Sequence, residues 1–227
     1  MKQQNIILTL LISILSFGIS FGQQKIVNAY TQDGKVTVQF DNGNTKEIVT
    51  SGSNEVVAFS KTKNFIVYKS LVQNSKTTGT EDVESLDQYS FNIFYLSTNK
   101  STILFTTCLD GIGGTKPSYA NSSIYPNINF CNIEYVFLTN DGSKLFFQSD
   151  GWTTCPAIHY YNLKENKLVF YKAGWLQKIE SNGVEVQITG VETSNNQGQI
   201  ESKGRYVQTC LFDFNGILIK ELTKKEF

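Results

Sequence analysis

Apolar residues in this chain fall in short runs broken by glycine-containing turn pairs, and no stretch beyond residue 22 sustains a helical period. Asp33-Gly34, Asn42-Gly43, Asp110-Gly111, Asp141-Gly142, Asp150-Gly151, Asn182-Gly183 and Asn215-Gly216 supply the positive φ that tight hairpins need. Between them the runs pair off. Ile26–Thr31, Val36–Phe40 and Lys46–Thr50 form an opening meander. Glu55–Ser60 turns into Phe65–Val72, and Phe91–Leu96 into Thr102–Thr107. Ile133–Thr139 turns into Lys144–Gln148, and Ile158–Leu163 into Lys167–Lys172. Leu176–Glu180 turns into Val184–Gly190, and Arg205–Phe212 into Ile217–Leu222.

These hairpins repeat. Residues 55–107, 133–172 and 176–222 each hold four strands in the same order, and the opening meander matches the end of a fourth unit. A period of about 40–50 residues with four strands per unit is what propeller blades require. The expected fold is therefore all-β: a propeller-like array of four-stranded antiparallel units, about four blades with one incomplete. A β-sandwich of about 14–15 strands is the alternative. The runs Ile93–Leu96, Val136–Leu138, Leu145–Phe147 and Leu168–Tyr171 are continuously apolar. A strand with one wet face alternates; a strand held between two sheets need not.

The stretch Asp141-Gly142-Ser143-Lys144-Leu145-Phe146-Phe147, then His159–Leu163 and Lys167–Tyr171, resembles the repeats of TolB-like and WD40-like periplasmic β-propellers. The resemblance is carried by one unit and implies that each unit is a blade.

Consecutive strands of a meander reverse direction, so alternate connections emerge on opposite edges. The one-to-two and three-to-four turns are tight. The longer connections, Gln73–Ser90, Cys108–Asn132, Ser149–Ala157 and Val191–Gly204, all join strands two-to-three or four-to-one and should share one edge. Long loops on a rigid β scaffold are where binding residues gather. Asp110, Tyr119, Tyr125, Asp150 and Trp152 lie in or beside these connections and are the candidate ligand contacts. Tyrosine and tryptophan there either cap the local core or offer apolar area with a polar handle, suited to a protein or a carbohydrate.

The N-terminus adds a compartment. Met1-Lys2, an apolar run from Ile6 to Ile19 and the small residues Ser20 and Gly22 have the layout of a secretory signal peptide, with cleavage expected after Gly22. Residues 1–22 are read as that signal and 23–227 as a single all-β domain, periplasmic or secreted from a bacterium. No stable membrane insertion is expected after cleavage, because the run is short for a spanning helix. Four cysteines, Cys108, Cys131, Cys155 and Cys210, then read as disulfides. Sequence leaves three connectivities open; Cys108–Cys131 and Cys155–Cys210 are the expected pairs. A bridge closing the 108–131 loop would contribute roughly 3 kcal/mol.

Composition mainly excludes. Twenty basic and twenty acidic residues, with the lysines scattered, argue against nucleic-acid binding. One histidine, His159, and no Cys-x-x-Cys pair make a zinc site improbable, and no calcium loop occurs. His159 lies on an apolar strand without a Gly-x-Ser-x-Gly elbow, so it reads as structural. Gly111-Ile112-Gly113-Gly114 lacks the lysine and helix of a phosphate loop. No catalytic residue, metal or cofactor is assigned. The expectation is an exported, non-catalytic binding module using the loop-rich edge. The alternative is a secreted glycan hydrolase with carboxylates such as Asp110 and Asp150 on that edge.

Overall fold

The computed structural model describes residues 24–74, 87–109, 114–115, 132–152, 155–196 and 199–226. Their regular structure is fifteen strands in four antiparallel sheets. Sheet one holds β1 (Ile26–Gln32), β2 (Lys35–Phe40) and β3 (Thr45–Val49). Sheet two holds β4 (Asn54–Ser60), β5 (Phe65–Gln73), β6 (Gln88–Tyr95) and β7 (Lys100–Thr106). Sheet three holds β8 (Ile133–Leu138), β9 (Lys144–Trp152), β10 (Cys155–Asn162) and β11 (Lys167–Ala173). Sheet four holds β12 (Trp175–Ile179), β13 (Val184–Asn196), β14 (Gln199–Phe212) and β15 (Leu218–Glu226). Each sheet pairs its strands in chain order. Four separate meanders, rather than two large sheets, replace the sandwich alternative with a propeller-like array.

The continuous apolar runs explain the stacking. Along β5, Phe65 and Val67 point into the core between sheets two and three, while Ile66 and Tyr68 point into the core between sheets one and two. Along β9, Leu145 and Phe147 face sheet two, and Phe146 faces sheet four. Successive side chains of a strand point to opposite faces, so a sheet with a neighbour on each side needs apolar residues at every position. Phe105 shows how closely the layers fit. Its ring centroid lies 4.7 Å from Phe91 in its own sheet and 5.0 Å from Phe147 across the interface.

The outward faces of the end sheets are different. On sheet one Lys35 pairs with Glu47 at 3.4 Å. On sheet four Lys178 pairs with Glu180 and Glu185, and Gln177 donates to Gln187. Among the described residues no apolar core joins sheet one to sheet four.

Contacts between sheets fix chain direction. The β4–β5 and β8–β9 turns meet, Lys63 Nζ donating to the carbonyl of Gly142 at 3.3 Å. First strands of sheets two and three therefore run the same way, and β3 enters β4 at the edge where β7 leaves for β8. By that direction β1–β3 hold positions two to four of their unit.

Two expected loops are corrected. β9 continues to Trp152 and β10 starts at Cys155, leaving a short connection where a loop over Ser149–Ala157 was expected. β13 and β14 stay paired from Val191↔Arg205 to Asn196↔Gln199, beyond the last pairings of β12 and β15 at Gln187 and Tyr206. A paired two-stranded ribbon therefore stands where a loop was expected. Gly174 alone joins β11 to β12, at φ +136°; a Cβ there would meet the Gln187 carbonyl at 2.6 Å and Val186 Cγ1 at 2.8 Å. Only glycine permits both that dihedral and that approach.

His159 sits fully buried in sheet three, its ring stacked on Phe147 with centroids 5.6 Å apart and Nδ1 3.2 Å from Ser149 Oγ. Burial pushes its pKa down to about 4, opposed by a hydrogen bond involving Ala157. The structural role expected for it holds.

Two stability measurements follow. Phe105→Ala should destabilise by about 3–5 kcal/mol in urea titration, because the rings on both sides lose their partner. The folded state keeps His159 neutral to lower pH than the unfolded chain, which protonates near pH 6.5. Unfolding therefore takes up a proton between pH 6.5 and about 4, and stability falls as pH falls through that window. The loss is on the order of 3 kcal/mol. The melting temperature of His159→Gln should decline less than that of the parent between those pH values.

Candidate functional site

The two edges of the array have different chemistry. The edge carrying the tight turns is tied together by its own polar groups. Lys46 Nζ donates to Asn99 Oδ1 at 2.9 Å, joining sheets one and two. Lys144 Nζ and Tyr171 OH each donate at 2.6 Å, to the carbonyls of Phe214 and Asp213, joining sheets three and four. The Asp-Gly turn at Asp141 works the same way. Its carboxylate accepts from Thr139 Oγ1 and from the amide and hydroxyl of Ser143. The Thr139 bond is the main reason its pKa lies below the ordinary carboxylate value.

A cavity of about 330 Å³ opens on this edge between sheets two and three, lined by Phe59–Thr62 and Leu138–Asn140. Its hydroxyls are engaged in the turns around it: Ser60 Oγ with Thr62 Oγ1, and Thr139 Oγ1 with Asp141. The groove is a seam between turns rather than a set of converging ligand groups.

The described ends of the long connections, at residues 74, 87, 109 and 132, lie at the opposite edge, from which the β13–β14 ribbon also extends. Its footing is firm. Asn54 Nδ2 donates to the carbonyls of Gly34 and Ser51, and Ser70 Oγ donates to Asn54 Oδ1 at 2.6 Å. Gln88 Nε2 donates to the Thr107 carbonyl, and the Tyr89 amide to Thr107 Oγ1. Past Cys108 the chain returns so that the Thr115 amide donates to the Thr106 carbonyl at 2.9 Å.

The sequence-derived candidates sit on or near this edge only in part. Asp150 and Trp152 end β9, with their side chains outside the described residues; Asp110, Tyr119 and Tyr125 lie wholly outside them. Cys108 is buried and disulfide-bonded. Cys131 and the side chain of Cys155 lie outside the described residues, so the Cys108–Cys131 pair remains a proposal. Cys210 is a free thiol, which corrects the expected Cys155–Cys210 bridge. Its side chain points into the core between sheets three and four with Phe146, Ile158, Val184 and Val186, and burial pushes the thiol pKa up.

The structure adds a feature that sequence reading passed over. β8 is an edge strand of sheet three, with β4 and β12 beside it, and its register against β9 slips between Glu134↔Gln148 and Phe137↔Phe146. Ile133, Val136 and Leu138 pack toward sheet two and Phe137 toward sheet four. Tyr135 is the extra residue. It stands 58% exposed with φ +50°. A bulky residue in the left-handed region is an outlier, costing about 1–3 kcal/mol. Beside it, Glu134 accepts from Asn132 Nδ2 at 3.4 Å and Gln148 Nε2 at 3.3 Å. Gln148 is itself fixed, its Oε1 accepting from the Leu176 amide at 2.9 Å. The result is a strained, solvent-exposed tyrosine one residue after an oriented carboxylate, where the 107–132 connection meets the sheet. A reader could have found it: Ile133–Leu138 has five apolar residues in six, one too many for strict alternation around Glu134.

No cluster of histidine, cysteine and carboxylate side chains suited to a metal occurs among the described residues. No helix there is long and apolar enough to cross a membrane.

No protein-family model and no curated protein matches the chain. Solved structures that resemble it include an oligogalacturonate lyase from Vibrio parahaemolyticus, at 8% identity over 87% of this chain and 61% of that one, TM-score 0.32. An oligogalacturonate lyase in complex with manganese aligns at 11% identity over 84% and 60%, TM-score 0.30. TolB from Acinetobacter baumannii aligns at 9% identity over 89% and 64%, TM-score 0.27. The chain spans between 60% and 64% of the length of these proteins. The propeller-like reading of this chain rests on its sheet order, four consecutive meanders each paired in chain order.

Proposed function

We propose that this protein is an exported, non-catalytic binding module whose ligand meets the edge bearing the long connections. The observation that carries this is the division of labour between edges. Chain direction sends residues 74–87, 107–132 and the β13–β14 ribbon to one side, while the polar groups of the other side are spent joining sheets. Loops presented on rigid strands are free to vary in shape without unsettling the core beneath. Export is supported by the signal-like N-terminus and by a disulfide at Cys108, since such bonds persist outside the reducing cytosol.

Mass spectrometry of secreted protein tests the compartment. The mature chain should begin at Gln23, Cys108 should be linked to Cys131, and Cys210 should alkylate only after unfolding. An uncleaved chain with four reactive thiols in the native state overturns export. For the binding face, the variant with residues 116–130 replaced by a short Gly-Ser linker is probed beside the parent on arrays of envelope proteins and glycans. The linker variant should lose the array signals, whereas Lys61→Glu on the turn edge should retain them. The reverse pattern would move the site to the turn edge.

A further inference from the structure

We propose that Tyr135 is the stacking platform of a binding site for a neutral pyranose ring, with the Glu134 carboxylate as acceptor for the sugar hydroxyls. This rests on the binding role of the loop edge and specifies its ligand class.

The geometry of β8 carries it. Without Tyr135 the strand would alternate regularly: Ile133 and Val136 toward sheet two, Glu134 and Phe137 toward the other face. The inserted residue contributes nothing to either core, is held in a conformation that disfavours a bulky side chain, and presents its ring to solvent. Bulges re-aim side chains beside binding sites. An exposed tyrosine face offers an apolar surface for the C–H groups of a sugar, and its hydroxyl stays in water.

The neighbouring carboxylate has capacity to spare. An ionised carboxyl accepts about four hydrogen bonds, and Glu134 is given two, from Asn132 and Gln148, which hold it in place. Its negative charge disfavours an anionic ligand at the ring. An added peptide strand is disfavoured as well. β8 is an edge strand, and a bulge breaks the regular ladder that strand addition requires. What remains legible from outside is a side-chain surface, and an exposed ring one residue along the strand from a fixed acceptor suits a pyranose.

Edge protection alone could also retain a bulge, but it would not require an aromatic residue. Native affinity gels cast with mixed-linkage β-glucan, xylan or galactomannan, and with polygalacturonate as the acidic comparison, separate the two. The parent and Tyr135→Phe should be retarded by at least one neutral polysaccharide. Tyr135→Asn, and the chain with residue 135 deleted, should bind at least about tenfold more weakly. Asparagine takes positive φ readily, so Tyr135→Asn should also raise the melting temperature, by about 2–4 °C. A parent that runs unretarded on all three neutral gels overturns the proposal. So do retention of binding in Tyr135→Asn, retardation by polygalacturonate alone, and a lowered melting temperature in Tyr135→Asn, which would make the ring a packing group. Should the gels stay silent while the 116–130 linker variant loses a protein ligand, the loop-edge reading stands and only the pyranose assignment falls.

Discussion

Sheets two and three must be apolar on both faces, and most of the architecture follows from that requirement. A pleated strand sends its side chains alternately up and down. Phe65, Ile66, Val67 and Tyr68 therefore serve two different cores within four residues, as do Leu145, Phe146 and Phe147 within three. Strands of this kind cannot be wetted on either side, so each middle sheet needs a neighbour on both. The end sheets carry the opposite instruction. Lys35 with Glu47, and Lys178 with Glu180 and Glu185, place ion pairs on these sheets, and among the described residues no apolar core joins sheet one to sheet four.

Much of this was readable from residue order. Asp33-Gly34, Asn42-Gly43, Asp141-Gly142 and Asn215-Gly216 marked turns with glycine at positive φ, although Asp150-Gly151 lies within β9 and Gly183 is not at positive φ; the three four-stranded units were found where the sheets are, and the unbroken apolar runs announced burial on both sides. The sandwich alternative fell because each sheet pairs only with its sequence neighbours, a matter of hydrogen bonding that apolar patterning does not encode. Val191–Gly204 misled because its sequence lacks apolar alternation, while the ribbon is defined by backbone pairing that side-chain pattern does not encode. Cys210 misled as well, because parity of cysteines says nothing about which way a side chain points. Its alternation with Leu211 along β14 places the thiol inward among Val184, Val186 and Phe146.

The functional surface was legible as a location rather than as chemistry. Strand direction alone assigned the long connections to one edge, and the strand ends that flank 74–87 and 107–132 lie there. Asp110, Tyr119 and Tyr125 were chosen for residue type in a loop, a criterion that carries no geometry. Tyr135 met no such criterion, since it reads as one more aromatic residue in a strand. Its significance appears only in the register, where two residues of β8 oppose one of β9. A surplus residue within an otherwise alternating strand is a signal of the same kind as a turn dipeptide, but it needs the partner strand to be recognised.

Because every sheet is a contiguous stretch of chain, the molecule can be completed in the order of its sequence. Sheet one lies within residues 26–49 and sheet two within 54–106, so their shared core can form before the last two sheets are assembled. Hairpins close locally and quickly, and little of the assembly waits for distant partners. With no apolar core between sheets one and four among the described residues, the final unit has only to settle on the one before it. Gly174 makes that step almost automatic: a single residue delivers β12 against a sheet already in place.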